Sequence, residues 1–271
     1  MTSRKIRKFK WRVIGLNVNS AREQTSGTDL MNQLTKDFKY NFIAGDSRAS
    51  IGSEYLMIVL HGQGDSELPF RLFSWEIGVP GLNLLLLNAP IPFASGYSWY
   101  DEPPKKDRQI SSLRKKLFRL LDELIIQGWS AKKIFIFGFS QGALVGSDLV
   151  LHYREQLAGF IGVSGYFHFY PRWRQRMKPQ ATPFCLLHGT TDRVLPLQET
   201  LYGARKLQTL GVQIDWAESD RGHQMDEAET DRIGTWIKAK CRGDVPGSYS
   251  GFHRKVLARK QPAAAKLLSL R

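Results

Sequence analysis

The feature that most constrains the fold is an alternation along the chain. Short apolar runs recur: Y-L-M-I-V-L at Tyr55–Leu60, four leucines at 84–87, then 134–137, 160–163, 184–187 and 212–216. Between them lie stretches whose apolar residues are spaced by three and four. Ile110, Leu113, Leu117, Leu120, Leu121, Leu124 and Ile125 fall on one side of a helix, and Gly128 stands where its C-terminal cap is wanted. Further helices are expected over 141–153, 198–209 and 226–240. Strands this short and this apolar are covered on both faces, so the pattern predicts a parallel sheet with helices on either side. The expected class is α/β, a doubly wound, mostly parallel sheet, with 39–44 as an antiparallel edge strand.

Charge divides the chain. The net charge of +14 over 271 residues would suit a nucleic-acid partner if it were spread over the surface. It is not: residues 1–36 carry 8 Lys/Arg against 2 Asp/Glu, residues 242–271 carry 7 against 1, and the part between is nearly neutral. One folded domain is therefore expected over 37–241, between basic extensions at 1–36 and 242–271. Such extensions could associate weakly with nucleic acid or an anionic membrane, or simply be solvated. No apolar run approaches the 18 or so residues of a membrane span, and no apolar segment of secretory-signal type follows the charged start, so a cytoplasmic protein is expected. Two cysteines, Cys185 and Cys241, form no disulfide framework and match no metal-ligand spacing.

In parallel α/β sheets chemistry collects just past the carboxyl ends of the strands. After 134–137 comes Gly138-Phe139-Ser140-Gln141-Gly142. Between a strand and a helix, the two glycines permit a turn sharp enough to present a serine hydroxyl above the sheet, which makes Ser140 a nucleophile candidate. On such a fold an orienting carboxylate and then a base follow in chain order. Asp192 follows the strand at 184–187 and His223 the strand at 212–216. Asp215, Glu218 and Asp220 compete with Asp192 by proximity to His223, but a carboxylate on a separate loop orients an imidazole better. Of the other histidines, His61 and His188 close strands and are expected to bond backbone. The oxyanion of an acyl-transfer intermediate needs N–H donors. The residue after the nucleophile, Gln141, and Gln63 in H-G-Q-G-D are the candidates.

Taken together, L-H-G-Q-G-D at 60–65, Ala89-Pro90, S-W-Y-D at 98–101, G-F-S-Q-G-A at 138–143, H-G-T-T-D at 188–192 and Gly222-His223 resemble the carboxylesterase, acyl-protein thioesterase and lysophospholipase family of the α/β-hydrolase superfamily. The likeness covers roughly 50–241. It implies a hydrolase of esters or thioesters working through Ser140, Asp192 and His223, with oxyanion donors at Gln63 and Gln141, without cofactor or metal. This chain departs from the thioesterases of that family, which often carry leucine at the position of Gln63 and R-P-V-T after the A-P. The departure favours a carboxylesterase of short to medium acyl chains, with a lysophospholipase or acyl-protein thioesterase of long chains as the alternative. A binding module that keeps the fold without catalysis is the alternative of another class. The small-molecule ester is expected against a wall of aromatic residues that includes Phe70, Trp99, Tyr166 and Phe167. Oligomeric state is not legible in the sequence.

Overall fold

The computed structural model describes residues 34, 36–49, 52–169 and 182–243, together with the backbone of 255–257. Eight strands form the main sheet: β1 (Lys39–Ile43), β2 (Leu56–Leu60), β3 (Asn83–Asn88), β6 (Ile134–Phe139), β7 (Gly159–Val163), β8 (Phe184–Gly189), β9 (Ile214–Ser219) and β10 (Lys255–Leu257). A two-stranded hairpin, β4 (Ile91–Phe93) and β5 (Gly96–Ser98), stands apart from it. The helices are α1 (Phe73–Glu76), α2 (Lys106–Ile126), α3 (Gln141–His152), α4 (Leu197–Gln208) and α5 (Glu227–Cys241). The spatial order is β1-β3-β2-β6-β7-β8-β9-β10, with β1 antiparallel to β3 and every other pairing parallel.

Strand alternation separates two cores. Leu56, Ile58 and Leu60 of β2 and Ile134 and Ile136 of β6 face one side, where α2, α3 and α4 pack; Met57, Val59, Phe135 and Phe137 face the other, against α1 and α5. In α2, Ile110, Leu113, Leu117, Leu120, Leu121 and Leu124 are all buried. Burying each contributes about 1.5–3 kcal/mol, several times any difference in helix propensity, so tertiary packing decides this helix. The N-terminus of α5 is closed by a reciprocal box in which Asp226 accepts from the N–H of Glu229 while Glu229 accepts from that of Asp226.

The sheet extends beyond the expected domain end at 241, because β10 adds to β9 with Lys255 opposite Ala217. At the other end Leu34 is buried against the α2 side, so the folded body also begins before 37. A three-residue strand in a basic segment leaves no period to read, which is why the tail hid it. Residues 1–33 and most of 244–271 lie outside the described residues, and with them the expected basic extensions. No helix among the described residues is long and apolar enough to cross a membrane.

Candidate active site

The turn after β6 is as tight as its glycines suggest. Ser140 takes φ 52°, ψ −115°, a left-handed conformation that costs a residue bearing a side chain and recurs where strain serves a site. The surrounding backbone holds it there: the N–H of Ser140 donates to Val163 O at 2.9 Å, and Ala143 N–H donates to Ser140 O at 3.0 Å. A Cβ on Gly138 would lie 2.4 Å from Gly142 O, and one on Gly142 would lie 2.1 Å from Leu60 O. Neither contact could relax without moving main chain, so both positions require glycine.

Three loops at the carboxyl edge of the sheet then converge. His223, on the loop after β9, places Nε2 2.8 Å from Ser140 Oγ and Nδ1 2.8 Å from Asp192 Oδ2, on the loop after β8. The other oxygen of Asp192 accepts from the N–H groups of Val194 and Leu195, both at 2.9 Å. Burial alone would raise the pKa of this carboxyl. The hydrogen bonds from His223 and from the backbone of Leu195 and Val194 outweigh it and hold the group below its usual range. The competing carboxylates are engaged elsewhere: both oxygens of Asp215 accept from Arg232 Nη2, and Glu218 accepts from the indole N–H of Trp216. Asp220 is exposed.

The loop after β2 passes beside the serine, since a Cβ on Gly62 would lie 3.5 Å from that of Ser140. It is pinned by the β4–β5 hairpin through Gly64 N–H to Tyr97 O (2.8 Å) and Tyr97 N–H to Asp65 O (2.9 Å). Gln63 is on this loop, and its side-chain amide donates to Ser98 Oγ at 3.4 Å. Gln141 opens α3, where a first-turn N–H has no carbonyl behind it. Its side chain is buried, accepting from Trp99 N–H at 2.7 Å and donating to Tyr100 O at 3.1 Å.

His61 and His188 bond backbone, as their positions predict. His188 Nε2–H donates to Leu195 O at 2.9 Å. His61 Nδ1–H donates to Gly62 O at 2.7 Å while its Nε2 accepts from Ala89 N–H at 3.1 Å, which fixes a neutral ring. Burial, partly offset by the bond to Gly62, lowers its pKa to about 4. The unfolded chain therefore binds a proton near pH 6.5 that the folded one refuses until about pH 4, and stability falls as pH drops through that window. The stability advantage of wild type over His61→Gln is expected to shrink by about 2 kcal/mol between pH 7 and pH 5 in urea unfolding. Parallel profiles would contradict this assignment.

A family model described as phospholipase/carboxylesterase matches residues 49–241. The chain belongs to the phospholipase/carboxylesterase family. It is similar to a probable carboxylesterase of Oryza sativa subsp. japonica, 27% identical over 217 residues, 70% of this chain and 79% of the relative. It is also 27% identical over 152 residues to a probable inactive carboxylesterase of the same organism. That match takes in 52% of this chain and 62% of the relative, less than two thirds of its length. Among solved structures, Arabidopsis thaliana SOBER1 superposes with a TM-score of 0.64 at 25% identity, covering 69% of this chain and 98% of that one.

Within this family fold the four aromatic residues expected to line a pocket part company. Phe70 is only 3% exposed, packed on Phe73 and Phe137 in the α1–α5 core. Trp99 is fully buried on the other face, its indole N–H donating to His61 O at 2.8 Å. Both hold the scaffold and present no surface to a substrate here. Tyr166 and Phe167 are half-buried on the loop after β7. Gly165 of that loop packs against Ala143, since a Cβ on it would lie 2.3 Å from that of Ala143. Tyr166 OH meets Tyr100 OH at 2.9 Å and Lys106 Nζ at 2.7 Å. Trp173, a further aromatic residue of the expected wall, lies outside the described residues.

Proposed function

We propose that this chain is a serine hydrolase of carboxylic esters with short to medium acyl chains. The observation that carries the reading is the unbroken line from Ser140 Oγ through the two nitrogens of His223 to Asp192, 2.8 Å at each step. Ser140 attacks the ester carbonyl carbon while His223 Nε2 takes its proton, and Asp192 holds the ring and stabilises the imidazolium. The oxyanion is bound by the N–H groups of Gln63 and Gln141, an interaction for which the loss of one donor typically costs on the order of 10²–10³ in rate. Collapse breaks the ester bond and the alcohol leaves with the proton from His223. Water, deprotonated by the same nitrogen, then attacks the acyl-enzyme and releases the acid. Every electron pair and proton is supplied by these residues and water.

The preference for shorter chains is supported by the core placement of Phe70 and Trp99, which takes two of the four named aromatic residues away from any wall a long acyl chain would use. Hydrolysis of p-nitrophenyl esters from acetate to palmitate tests it. An optimum at acetate to octanoate is expected; an optimum at palmitate would favour the lysophospholipase or thioesterase reading. Inactivity on the whole series, with no labelling of Ser140 by a fluorophosphonate, would favour a binding module.

A further inference from the structure

Two residues before His223, and fully buried, is an arginine. Arg221 Nη1 donates to Ser164 Oγ and to Gly222 O, both at 2.7 Å, and its Nη2 donates to the buried carboxylate of Glu229. Glu229 also accepts from Ser219 Oγ at 3.2 Å and completes the box that begins α5. The main chain of Arg221 reaches the carboxylate loop as well, for Thr191 N–H donates to Arg221 O at 3.1 Å. Ser164 is one of three non-glycine residues at positive φ among the described residues, at 49°. It stands between Val163, whose carbonyl holds the Ser140 N–H, and Gly165, which packs against the turn of Ser140 and Ala143. The guanidinium therefore ties the nucleophile's support to the peptide that leads into His223, and the main chain of the same residue holds the loop of Asp192.

A buried ion pair is a poor device for stability alone, because apolar residues of similar volume commonly serve as well or better. Here one buried nitrogen, Arg221 Nε, also has no partner among the described residues. What a planar fork provides, and an apolar side chain does not, is fixed geometry toward several acceptors at once.

We infer that Arg221, held by Glu229, is a positioning residue that sets His223 relative to Ser140. This inference rests on the reading of His223 as the base. Displacing a reacting group by about 1 Å can cost on the order of 100-fold in rate. The Arg221→Met variant strands the Glu229 carboxylate, and its Tm is expected to fall by about 10 °C. Arg221→Met combined with Glu229→Gln removes both charges and keeps the helix box, so most of the lost Tm returns. Both variants are expected to lose roughly 100-fold in kcat, with KM within about twofold of wild type, on the ester preferred in the series above. Ser164→Ala, which removes one acceptor and no charge, is expected to lose roughly tenfold in kcat with Tm nearly unchanged. Recovery of wild-type kcat in the double variant together with undiminished kcat in Ser164→Ala would overturn the inference and leave Arg221 a structural residue. Ser140→Ala, run beside them, separates the two claims. If it hydrolyses the ester as fast as wild type, the serine hydrolase reading fails and this inference with it.

Discussion

Replacing Ser140 with alanine is expected to lower kcat by on the order of 10⁵-fold, since in the proposed mechanism this hydroxyl is the nucleophile and alanine offers none. Ser140 is half-buried and its hydroxyl is hydrogen-bonded to His223, so folding is expected to survive within about 1 kcal/mol. Alanine inherits the same left-handed backbone, and the strain at this position is neither added nor relieved. Ester turnover and covalent labelling by a fluorophosphonate should vanish together. Labelling that persists at another residue, with activity intact, would place the nucleophile elsewhere.

The second large effect is expected from Asp192→Asn, with kcat lower by about 10⁴-fold and little change in KM. The backbone dictates which end of an asparagine would face the histidine. The N–H groups of Val194 and Leu195 demand an acceptor and take the oxygen, so the amide NH₂ is left toward His223. Nδ1 must then accept, its proton moves to Nε2, and Nε2 can no longer take the proton of Ser140. The fold is preserved while the ring carries its hydrogen on the wrong side. A carboxylate outside this line behaves differently: Glu218→Gln, bonded to Trp216, should leave kcat within about threefold of wild type. If Glu218→Gln caused the large loss and Asp192→Asn did not, the assignment of the orienting carboxylate would be reversed.

The parts of the molecule that could be read from the sequence are those where one local rule suffices. The period of 110–124 and the apolar runs of β2, β3 and β6–β9 each report burial directly, and every one of these elements appears, with its ends within about four residues of expectation. The glycines of the turn at 138–142 were legible because a sharp turn leaves no other choice. The hairpin β4–β5 was not: a proline lies inside one strand, both are three residues long, and Tyr97 makes further backbone bonds with the distant Gly64 and Asp65. Aromatic identity failed for the pocket, because Phe70 and Trp99 satisfy the same composition whether they face a ligand or a core. Arg221 in D-R-G-H reads as one charge of a solvated loop, and only the spatial meeting with Ser164 and Glu229 reveals it. Asp192 has competitors nearer to His223 in sequence, and in space it is the Asp192 carboxylate that lies 2.8 Å from His223 Nδ1.

Gln141 shows how two tasks can share one residue through different atoms. Its proposed part in the chemistry belongs to a peptide N–H, which every amino acid except proline carries, whereas its side chain secures Trp99 and Tyr100. A scan that exchanges side chains one at a time would register damage at this position and credit it to the amide. The donor itself would pass through such a scan unseen, as would that of Gln63. Editing the main chain, by an ester in place of the Ser140–Gln141 peptide, is the operation that would remove this N–H and leave every side chain in place.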